Sequence, residues 1–489
     1  MILQALAIIL LCIWLYKKNS GSVPGPPILP FCGSAPFLLL FDTKMISYPY
    51  RMMHKVAQKY GNVMKVGLGM QDWYVLSSFE EIQEFSMSDF SVSHLPSKTF
   101  DELYSFDRPL GIIFPDGALW KHQRKFGVKT LRQLGVGKSS LEDKMVLESS
   151  KLVQYMNQLI NGKSGVVAMS DFFDLPSLNI IWGLINSSRF EYTDQKLKEQ
   201  IQLINKFTME STIGPLVAMR SLKYVPPFSL IYSDIKNNMD KFKLFIRNLV
   251  SSETERFRED EELKGYIDAF LTEKNKTSSE FYEDEQLIVT MIDFFTGGSG
   301  TMSKTLAYGI LYCTLYPQVA EKVVKELEEY TSHLPVITLA SRNELVYTEA
   351  TITEISRLAS VLPIAPPRKT TGDIQVGKYT LPKGSLVQMN LYAMHRNTEH
   401  WGDPEVFRPE RFLKDGKFVQ DEWVQPFGYG KRKCIGESVA RNNTFLMFSN
   451  MMRNFKFSPA PSHPLPTTEP VGGLTIGPQE YSVLVESRI

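Results

Sequence analysis

The chain has 489 residues, of which 43% are hydrophobic and 22% are charged, so it belongs with ordinary globular proteins rather than disordered ones. Its 54 basic and 53 acidic side chains leave a net charge of +1. That balance argues against a nucleic-acid-binding protein, which would carry a basic excess. Four scattered cysteines exclude a disulfide scaffold and a zinc knuckle.

The first 18 residues predict a membrane anchor. The segment from Met1 to Tyr16 is apolar apart from Gln4, and Lys17 and Lys18 follow it directly. A span needs about 20 apolar residues, and positive charge after it favours an uncleaved signal-anchor with the rest of the chain in the cytoplasm. The alternative is a cleaved signal peptide, which carries its charge before the apolar run.

A proline-rich segment, residues 19–36, follows the anchor. It contains VPGPP at positions 23–27, and each proline stiffens the backbone by fixing its φ angle. We predict a rigid hinge here, with a plain linker as the alternative, and a single folded domain over residues 37–489.

Helical periodicity dominates the body of the chain from about residue 45 to residue 360. Apolar residues spaced by three and four positions predict amphipathic helices over Ser47–Tyr60, Trp120–Leu131, Ser140–Leu159, Gln195–Glu210 and Asp234–Phe257. The charged stretch Glu259–Glu280 is predicted as a loop flanked by short helix.

The second half of the chain adds a buried helix and short strands. Asp284–Tyr316 stays apolar over most of its length, which predicts one long helix through the interior. Pro317 ends it and opens a helix over Gln318–Tyr330. Strand and turn patterns follow over Asp373–Leu391. The predicted fold class is therefore mainly α with minor β, an α+β body with small sheets.

Residues 427–436, FGYGKRKCIG, place one cysteine among glycines and three cations. Glycine lets the backbone approach a flat group closely, and nearby cations and amides favour a thiolate. The helix predicted from Glu437 onward would direct its positive end at the sulfur. We interpret Cys434 as an activated thiolate facing a cofactor or substrate; a buried structural cysteine is the alternative.

This loop resembles the FxxGxRxCxG signature of the cytochrome P-450 superfamily, and three further motifs follow the family's order. They are WxxxR at 120–124, ExxR at 354–357 and PERF at 409–412. Together with the N-terminal segments, the resemblance covers nearly the whole chain. It is strongest to microsomal members of the animal drug- and steroid-metabolising clan, with an insect-like character, and implies the P-450 fold with a long helix over haem.

The resemblance implies a role for each matched residue. Cys434 would be the axial thiolate ligand of haem b, and Thr301 would organise protons on the opposite side. The other cofactor-binding residues would be Arg108, Trp120, Arg124, Gly298, Arg368, Phe427, Arg432 and Gly436. Among these, Trp120 and the arginines would hold the haem propionates. A buried charge network of Glu354, Arg357 and Arg411 would support the haem loop.

The distal segment departs from the family pattern [AG]-G-x-[DE]-T-[TS]. Gly298 and Thr301 match, but Gly300 stands where the proton-relaying acid is expected. Protons would then have to arrive through water or from the substrate. Two alternatives remain open nearby: Thr301 could bond back to its own helix, and Asp293 could cap backbone or bind a cationic substrate.

The implied activity is that of a haem-thiolate monooxygenase, an oxidoreductase that inserts one atom of O₂ into a hydrophobic molecule of terpenoid, steroid, fatty-acid or aromatic type. Residues 100–114, 294–301, 361–366 and 474–476 would line its largely apolar pocket. The second hypothesis, motivated by Gly300, is a haem-thiolate isomerase or dehydratase that needs no reductase. The third is a non-catalytic haem- or lipid-binding protein.

Reducing power would have to come from a partner, because the chain contains neither GxGxxG nor a P-loop. The resemblance implies NADPH–cytochrome P-450 reductase, with cytochrome b5 as a further donor, at the endoplasmic reticulum membrane. Six basic residues on the thiolate side would dock it: Lys121, Lys125, Arg132, Lys138, Lys431 and Lys433. A solvated charged face without a partner is the alternative.

Overall fold

The computed structural model describes residues 23–488 except 96, 187, 260, 261, 278 and 335. The predicted anchor, residues 1–18, lies outside the described residues. Within the described part, no helix combines the length and the apolar character that a bilayer span requires.

Most of the described residues lie in helices. The α-helices of this part are α1 Ala35–Phe41, α2 Pro49–Tyr60, α3 Phe79–Met87, α4 Lys98–Tyr104, α5 Gly117–Gln133, α6 Ser139–Leu159, α7 Asp174–Ile185, α8 Gln195–Met209, α9 Ile213–Ala218, α10 Phe228–Arg256, α11 Tyr266–Lys276, α12 Asp284–Gly298, α13 Gly300–Leu315, α14 Pro317–His333, α15 Val346–Ala359, α16 Leu391–Met394, α17 Thr398–Trp401 and α18 Glu437–Asn454.

Short strands complete the body in five small sheets. They are β1 Val63–Leu68, β2 Gln71–Leu76, β3 Ser93–His94, β4 Ser164–Ala168, β5 Arg368–Lys369, β6 Ile374–Val376, β7 Tyr379–Leu381, β8 Leu386–Met389, β9 Leu413–Lys414, β10 Lys417–Phe418, β11 Phe455–Pro459, β12 Pro470–Val471, β13 Gly477–Pro478 and β14 Ser482–Ser487. The largest sheet has the order β1-β2-β8-β5-β3, and a second has the order β11-β14-β4. The prediction of a mainly helical α+β fold is confirmed.

Two local predictions are corrected, and one helix was not predicted. The predicted loop Glu259–Glu280 contains α11, whose apolar residues pack into the core. The β1–β2 hairpin interrupts a stretch predicted as helical. The helix α7 carried no amphipathic signal, because it is buried almost all round and so lacks a polar face.

The long interior helix is broken once. It runs as α12 and α13 with Ser299 between them, and the Ser299 hydroxyl donates to the Phe295 carbonyl over 2.7 Å. A serine that bonds back to its own helix favours a bend. The break at Ser299 lies two residues before Thr301, where the sequence predicted the distal site.

The proline-rich segment packs on the body over its described part, residues 23–36. The Lys65 amide donates to the Pro24 carbonyl over 2.8 Å, and Val23 and Ile28 are buried. A Cβ on Gly25 would lie 1.8 Å from the Lys65 carbonyl oxygen, so this close approach requires glycine. The segment is therefore attached along β1 rather than bridging a gap as a free linker.

Candidate active site

A cavity of about 1290 Å³ occupies the interior between the broken helix and the cysteine loop. Each of the four predicted pocket segments contributes to its lining, together with Thr301 and Cys434. Residues 207–219, from the end of α8 through α9, also line it and were not predicted. Their apolar pattern is that of an ordinary core helix, so the sequence carries no signal for this wall.

Backbone geometry fixes the cysteine loop. The Cys434 amide donates to the Phe427 carbonyl over 3.0 Å, which closes the loop on itself. Gly430 has φ of +72°, and a Cβ there would lie 2.1 Å from the Ser86 carbonyl oxygen at the end of α3. Glycine is therefore required at this position both for conformation and for contact. Gly436 lies beside the sulfur, and its amide hydrogen-bonds the thiolate form.

The sulfur of Cys434 is accessible from the cavity and otherwise surrounded by protein. Burial raises the pKa of the Cys434 thiol, and the Gly436 amide, Arg124 and Lys433 offset this only in part. The cations and amides of the loop therefore do not by themselves lower the pKa of this thiol below its usual value. A thiol in this setting loses its proton when a metal ion takes the sulfur as a ligand.

Three guanidinium groups, those of Arg124, Arg368 and Arg432, lie close together in the lining of the cavity. Burial, and then repulsion from Arg368, lowers the pKa of Arg432 to about 8. Burial likewise lowers the pKa of Arg368 to about 10, with Arg124 adding repulsion. Asp116 contacts Arg432 over 3.1 Å but carries one negative charge against three positive ones. The cluster is thus suited to a dianionic group such as the two propionates of haem.

Trp120 supports the same conclusion. Its indole nitrogen is buried and has no hydrogen-bond partner among the described residues, although it borders the cavity. A buried donor without an acceptor is costly, so an acceptor from a bound group is expected here. The residues present therefore fit haem.

The structure also brings His94 and Asp116 to this cluster, which the sequence analysis missed. His94 pairs with Arg368 across strands β3 and β5, and its ring contacts the Arg368 guanidinium. The His94 amide donates to Asp116 over 2.6 Å. These residues are far apart in the chain, so only the fold reveals their proximity.

Arg108 borders the same cavity, but its guanidinium is engaged in ion pairs of its own. Its guanidinium lies at the protein surface, where it pairs with Glu283 and with Glu285, the latter over 2.7 Å. The Glu283 and Glu285 carboxylates raise the pKa of Arg108. Its charge is already neutralised, so it has little to offer a propionate.

The two distal glycines have different tasks. A Cβ on Gly298 would lie 2.3 Å from Ile181 Cγ1. The absence of a side chain at Gly298 therefore allows α7 to pack closely against the interior helix. A Cβ on Gly297 would meet nothing within 4 Å, and this residue borders the cavity. Free space for a side-chain atom therefore lies at Gly297 and not at Gly298.

Thr301 borders the cavity and hydrogen-bonds within its own helix. Its hydroxyl donates to the Gly297 carbonyl over 2.6 Å, which is the alternative that the sequence left open. The lone pairs of the same oxygen still face the cavity, so Thr301 can accept a hydrogen bond there.

Asp293 caps backbone, as one of its two readings expected. Its carboxylate accepts the Ile112 and Ile113 amides over 2.5 and 3.1 Å and the Tyr104 hydroxyl over 2.8 Å. Burial raises the pKa of Asp293 to about 7, and the three hydrogen bonds oppose the rise. It holds the loop after α4 against the interior helix and so shapes the cavity wall.

The ExxR and PERF residues form the buried network that the sequence predicted. Arg357 and Glu354 are fully buried and joined by two hydrogen bonds of 2.7 and 2.8 Å, and Arg411 reaches Glu354 over 2.9 Å. Arg357 also donates to the carbonyls of His395 and Pro404. Such saturation is what a buried ion pair requires.

Five of the six basic residues predicted for partner docking divide into two groups, and the sixth, Lys138, is exposed just before α6. Lys121, Lys125 and Arg132 line one groove on α5. Lys431 pairs with Asp89, and Lys433 pairs with Glu437 over 2.7 Å, so part of their charge is already balanced.

An accessible cysteine below a broken helix, with a guanidinium cluster at the side, defines a haem-thiolate protein. The family model for cytochrome P-450 matches residues 23–485, and the chain belongs to this family. It is 32% identical to cytochrome P-450 2J5 of Mus musculus, over 95% of this chain and 91% of the relative. It is 29% identical to the farnesoate epoxidase of Bombyx mori, over 99% of both chains. It is 30% identical to cytochrome P-450 2J2 of Homo sapiens, over 97% of this chain and 93% of the relative.

Membership settles the general chemistry. The family binds haem b through a cysteine thiolate, and its members of this type are monooxygenases, so the chain is an oxidoreductase of that class. The relatives place it in the animal microsomal clan.

Proposed function

We propose that this monooxygenase binds haem through Cys434 and oxidises an apolar small molecule with electrons from NADPH–cytochrome P-450 reductase, with cytochrome b5 as a further donor. One observation carries the proposal: a single cavity contains the sulfur, the guanidinium cluster and a large apolar wall. Trp120, Arg124, Arg368 and Arg432 hold the propionates, Phe427 and Gly436 shape the thiolate side, and Gly298 allows the interior helix to pack. Bound haem supplies the chemistry that activates O₂.

Aromatic packing supports an apolar substrate. The Phe100 ring lies 4.3 Å from Phe114 and 5.9 Å from Phe207, centre to centre, and all three border the cavity. A wall of this kind binds apolar surface and rejects unpaired charge. The similarity to a farnesoate epoxidase favours a terpenoid over the steroid, fatty-acid and simple aromatic alternatives.

The membrane proposal has its own structural support. Large apolar side chains are exposed close in the chain to cavity-lining residues: Phe31, 76% exposed, precedes Cys32, and Leu40, 83% exposed, follows Leu38 by two positions. Met70 is exposed nearby, and Gly69 and Met219 both contact the cavity. Such a patch fits a lipid surface, here the endoplasmic reticulum membrane, with residues 1–18 as the anchor, residues 19–36 as the connection to it and residues 37–489 as the catalytic domain. Deleting residues 1–18 should increase the soluble fraction without loss of bound haem.

The partner proposal rests on charge. The α5 groove of Lys121, Lys125 and Arg132 would attract an acidic donor, with association that weakens as salt screens the charges. Lys125→Glu should weaken reductase binding severalfold at low salt and much less at high salt.

The test of function is a screen of purified protein with farnesoate, a long-chain fatty acid and 4-nitroanisole, with and without reductase. Product formed only with reductase and NADPH supports the proposal. Product formed without them indicates the isomerase or dehydratase suggested by Gly300, and binding spectra without product indicate a non-catalytic role. Cys434→His should abolish the red-shifted Soret band of the ferrous carbon monoxide complex; its survival would exclude Cys434 as the ligand.

A further inference from the structure

A buried polar cluster lies behind the distal helix. It joins Asp174 on α7, Asn205 on α8, Lys304 on α13 and Thr475 in the loop before β13. The Asn205 amide donates to Asp174 over 2.9 Å, and the Lys304 ammonium donates to the Thr475 hydroxyl over 2.7 Å. Asp174, Lys304 and Thr475 are each less than a tenth exposed. Burying charged groups is costly, so a cluster of this kind is unusual in the interior of a protein.

The cluster surrounds the position of the missing acid. A Cβ on Gly300 would lie 3.0 Å from Asn205 Oδ1 and 3.7 Å from Lys304 Nζ. A carboxylate at residue 300 would therefore meet Lys304 instead of entering the cavity. With glycine there, the ammonium keeps Thr475 as its hydrogen-bond acceptor.

The cluster connects the cavity with the surface. Thr475 borders the cavity, and its hydroxyl, which accepts from Lys304, still has its own proton to donate. On the other side lies Asp171, which is exposed to solvent. Its charge repels that of Asp174 and attracts that of Lys304. The buried Ser303 hydroxyl lies beside Asp174 and hydrogen-bonds its carboxylate, which lowers the pKa of Asp174 against the effect of burial.

The electrostatics are those of groups that exchange protons near neutral pH. Burial lowers the pKa of Lys304 to about 8, while Asp174 and Asp171 oppose the shift. Burial, and then Asp171, raises the pKa of Asp174 to about 6. Glu480 adds negative charge next to Asp171. The pKa values of Lys304 and Asp174 are thus similar enough for a proton to pass between the two groups near neutral pH.

We propose that Lys304 and Thr475 deliver protons to the cavity and replace the acid that the family places at residue 300. Lys304 gives one proton to the Thr475 oxygen while the Thr475 hydroxyl releases its own proton into the cavity. The neutral amine then recovers a proton from bulk water by way of Asp171 and Asp174. One proton is thereby moved inward, and no electron is transferred. The inference rests on the monooxygenase activity, which consumes protons together with electrons and O₂.

Thr475→Val and Thr475→Ser give the sharpest test, since valine keeps the shape and removes the hydroxyl while serine keeps the hydroxyl. The probe is 4-nitroanisole, and its product is 4-nitrophenolate. The reductase-driven yield is the product formed per NADPH consumed, and the peroxide-driven yield is the product formed per hydrogen peroxide supplied. Hydrogen peroxide already carries the electrons and protons that the reductase-driven reaction must collect. We expect Thr475→Val and Lys304→Met to lower the reductase-driven yield at least tenfold and the peroxide-driven yield less than twofold, with Thr475→Ser restoring the first. Thr314→Val, a buried threonine that bonds back to α13 away from the cavity, is the control.

A titration of the holoenzyme tests the same residue without any substrate. Since the pKa of Lys304 is lowered on folding, the unfolded chain binds more protons between about pH 8 and its usual 10.5. As the pH is raised through this window, the thermal midpoint of the wild type should therefore rise relative to that of Lys304→Met. A constant difference, or equal loss of both yields in Thr475→Val, would overturn the proposal. If 4-nitroanisole is not oxidised at all, the proposed substrate range fails and the titration alone decides the route.

Discussion

The guanidinium of Arg432 lies over the indole of Trp120, with 3.8 Å between its central carbon and the ring centre. Three backbone carbonyls, those of Val92, Ile113 and Pro115, accept most of its hydrogen bonds. The arginine is thus fixed in place before any anion arrives. A side chain held in this way loses little entropy on binding, which favours recognition of a propionate.

Removing haem should leave the guanidinium cluster without its counter-charge. We expect the haem-free protein to unfold at a lower temperature and to regain more stability from 0.5 M salt than the haem-bound protein does, because salt screens the repulsion. Arg124→Gln should reduce this salt effect. Arg108→Gln, whose charge is paired at the surface, should leave it unchanged. Equal salt effects with and without haem would contradict the assignment of the cluster.

The two distal glycines allow a paired test. Gly298→Ala must displace Ile181, and overpacking of this kind should destabilise the fold by about 1–3 kcal/mol. Gly297→Ala meets no atom within 4 Å and gains up to about 1 kcal/mol of helix propensity, while its methyl group narrows the cavity. Chemical unfolding measures the first effect, and the spectral shift on binding 4-nitroanisole measures the second. Equal loss of stability in both variants would contradict the division of roles.

The sequence predicted the parts of the site that lie in contiguous motifs, and it missed those that depend on the fold. Cys434, Thr301 and the ExxR network could be located because their residue types occur at fixed spacings. His94 reaches the guanidinium cluster only through the pairing of two-residue strands, which has no local signal. The ion pairs of Arg108 had no local signal either, since Glu283 and Glu285 lie far along the chain, at the start of α12.

Asp293 should make stability depend on pH in a predictable direction. Folding raises its pKa from 3.8 to about 7, so the folded state binds more protons than the unfolded state between these values. Its contribution therefore falls as pH rises through that window. Asp293→Asn should remove this dependence and keep the contact with the Ile112 loop, whereas Asp293→Ala should release the loop. Thermal midpoints from pH 4 to pH 7.5 provide the measurement, and an unchanged slope in Asp293→Asn would exclude the carboxyl as its source.

Among the charged side chains, we expect substitution of Glu354 to lower the free energy of unfolding most. It is fully buried and compensates Arg357 and Arg411 at once, so Glu354→Gln would leave buried positive charge without its partner. Breaking such a pair typically costs about 3–5 kcal/mol, and we expect a loss of that order in the free energy of unfolding. Glu410→Gln, in the neighbouring PERF motif, removes an exposed ion pair with Lys322 and should cost less than about 1 kcal/mol. Denaturant unfolding of the haem-bound proteins measures both, and similar small losses would mean that the buried network does not support the haem loop.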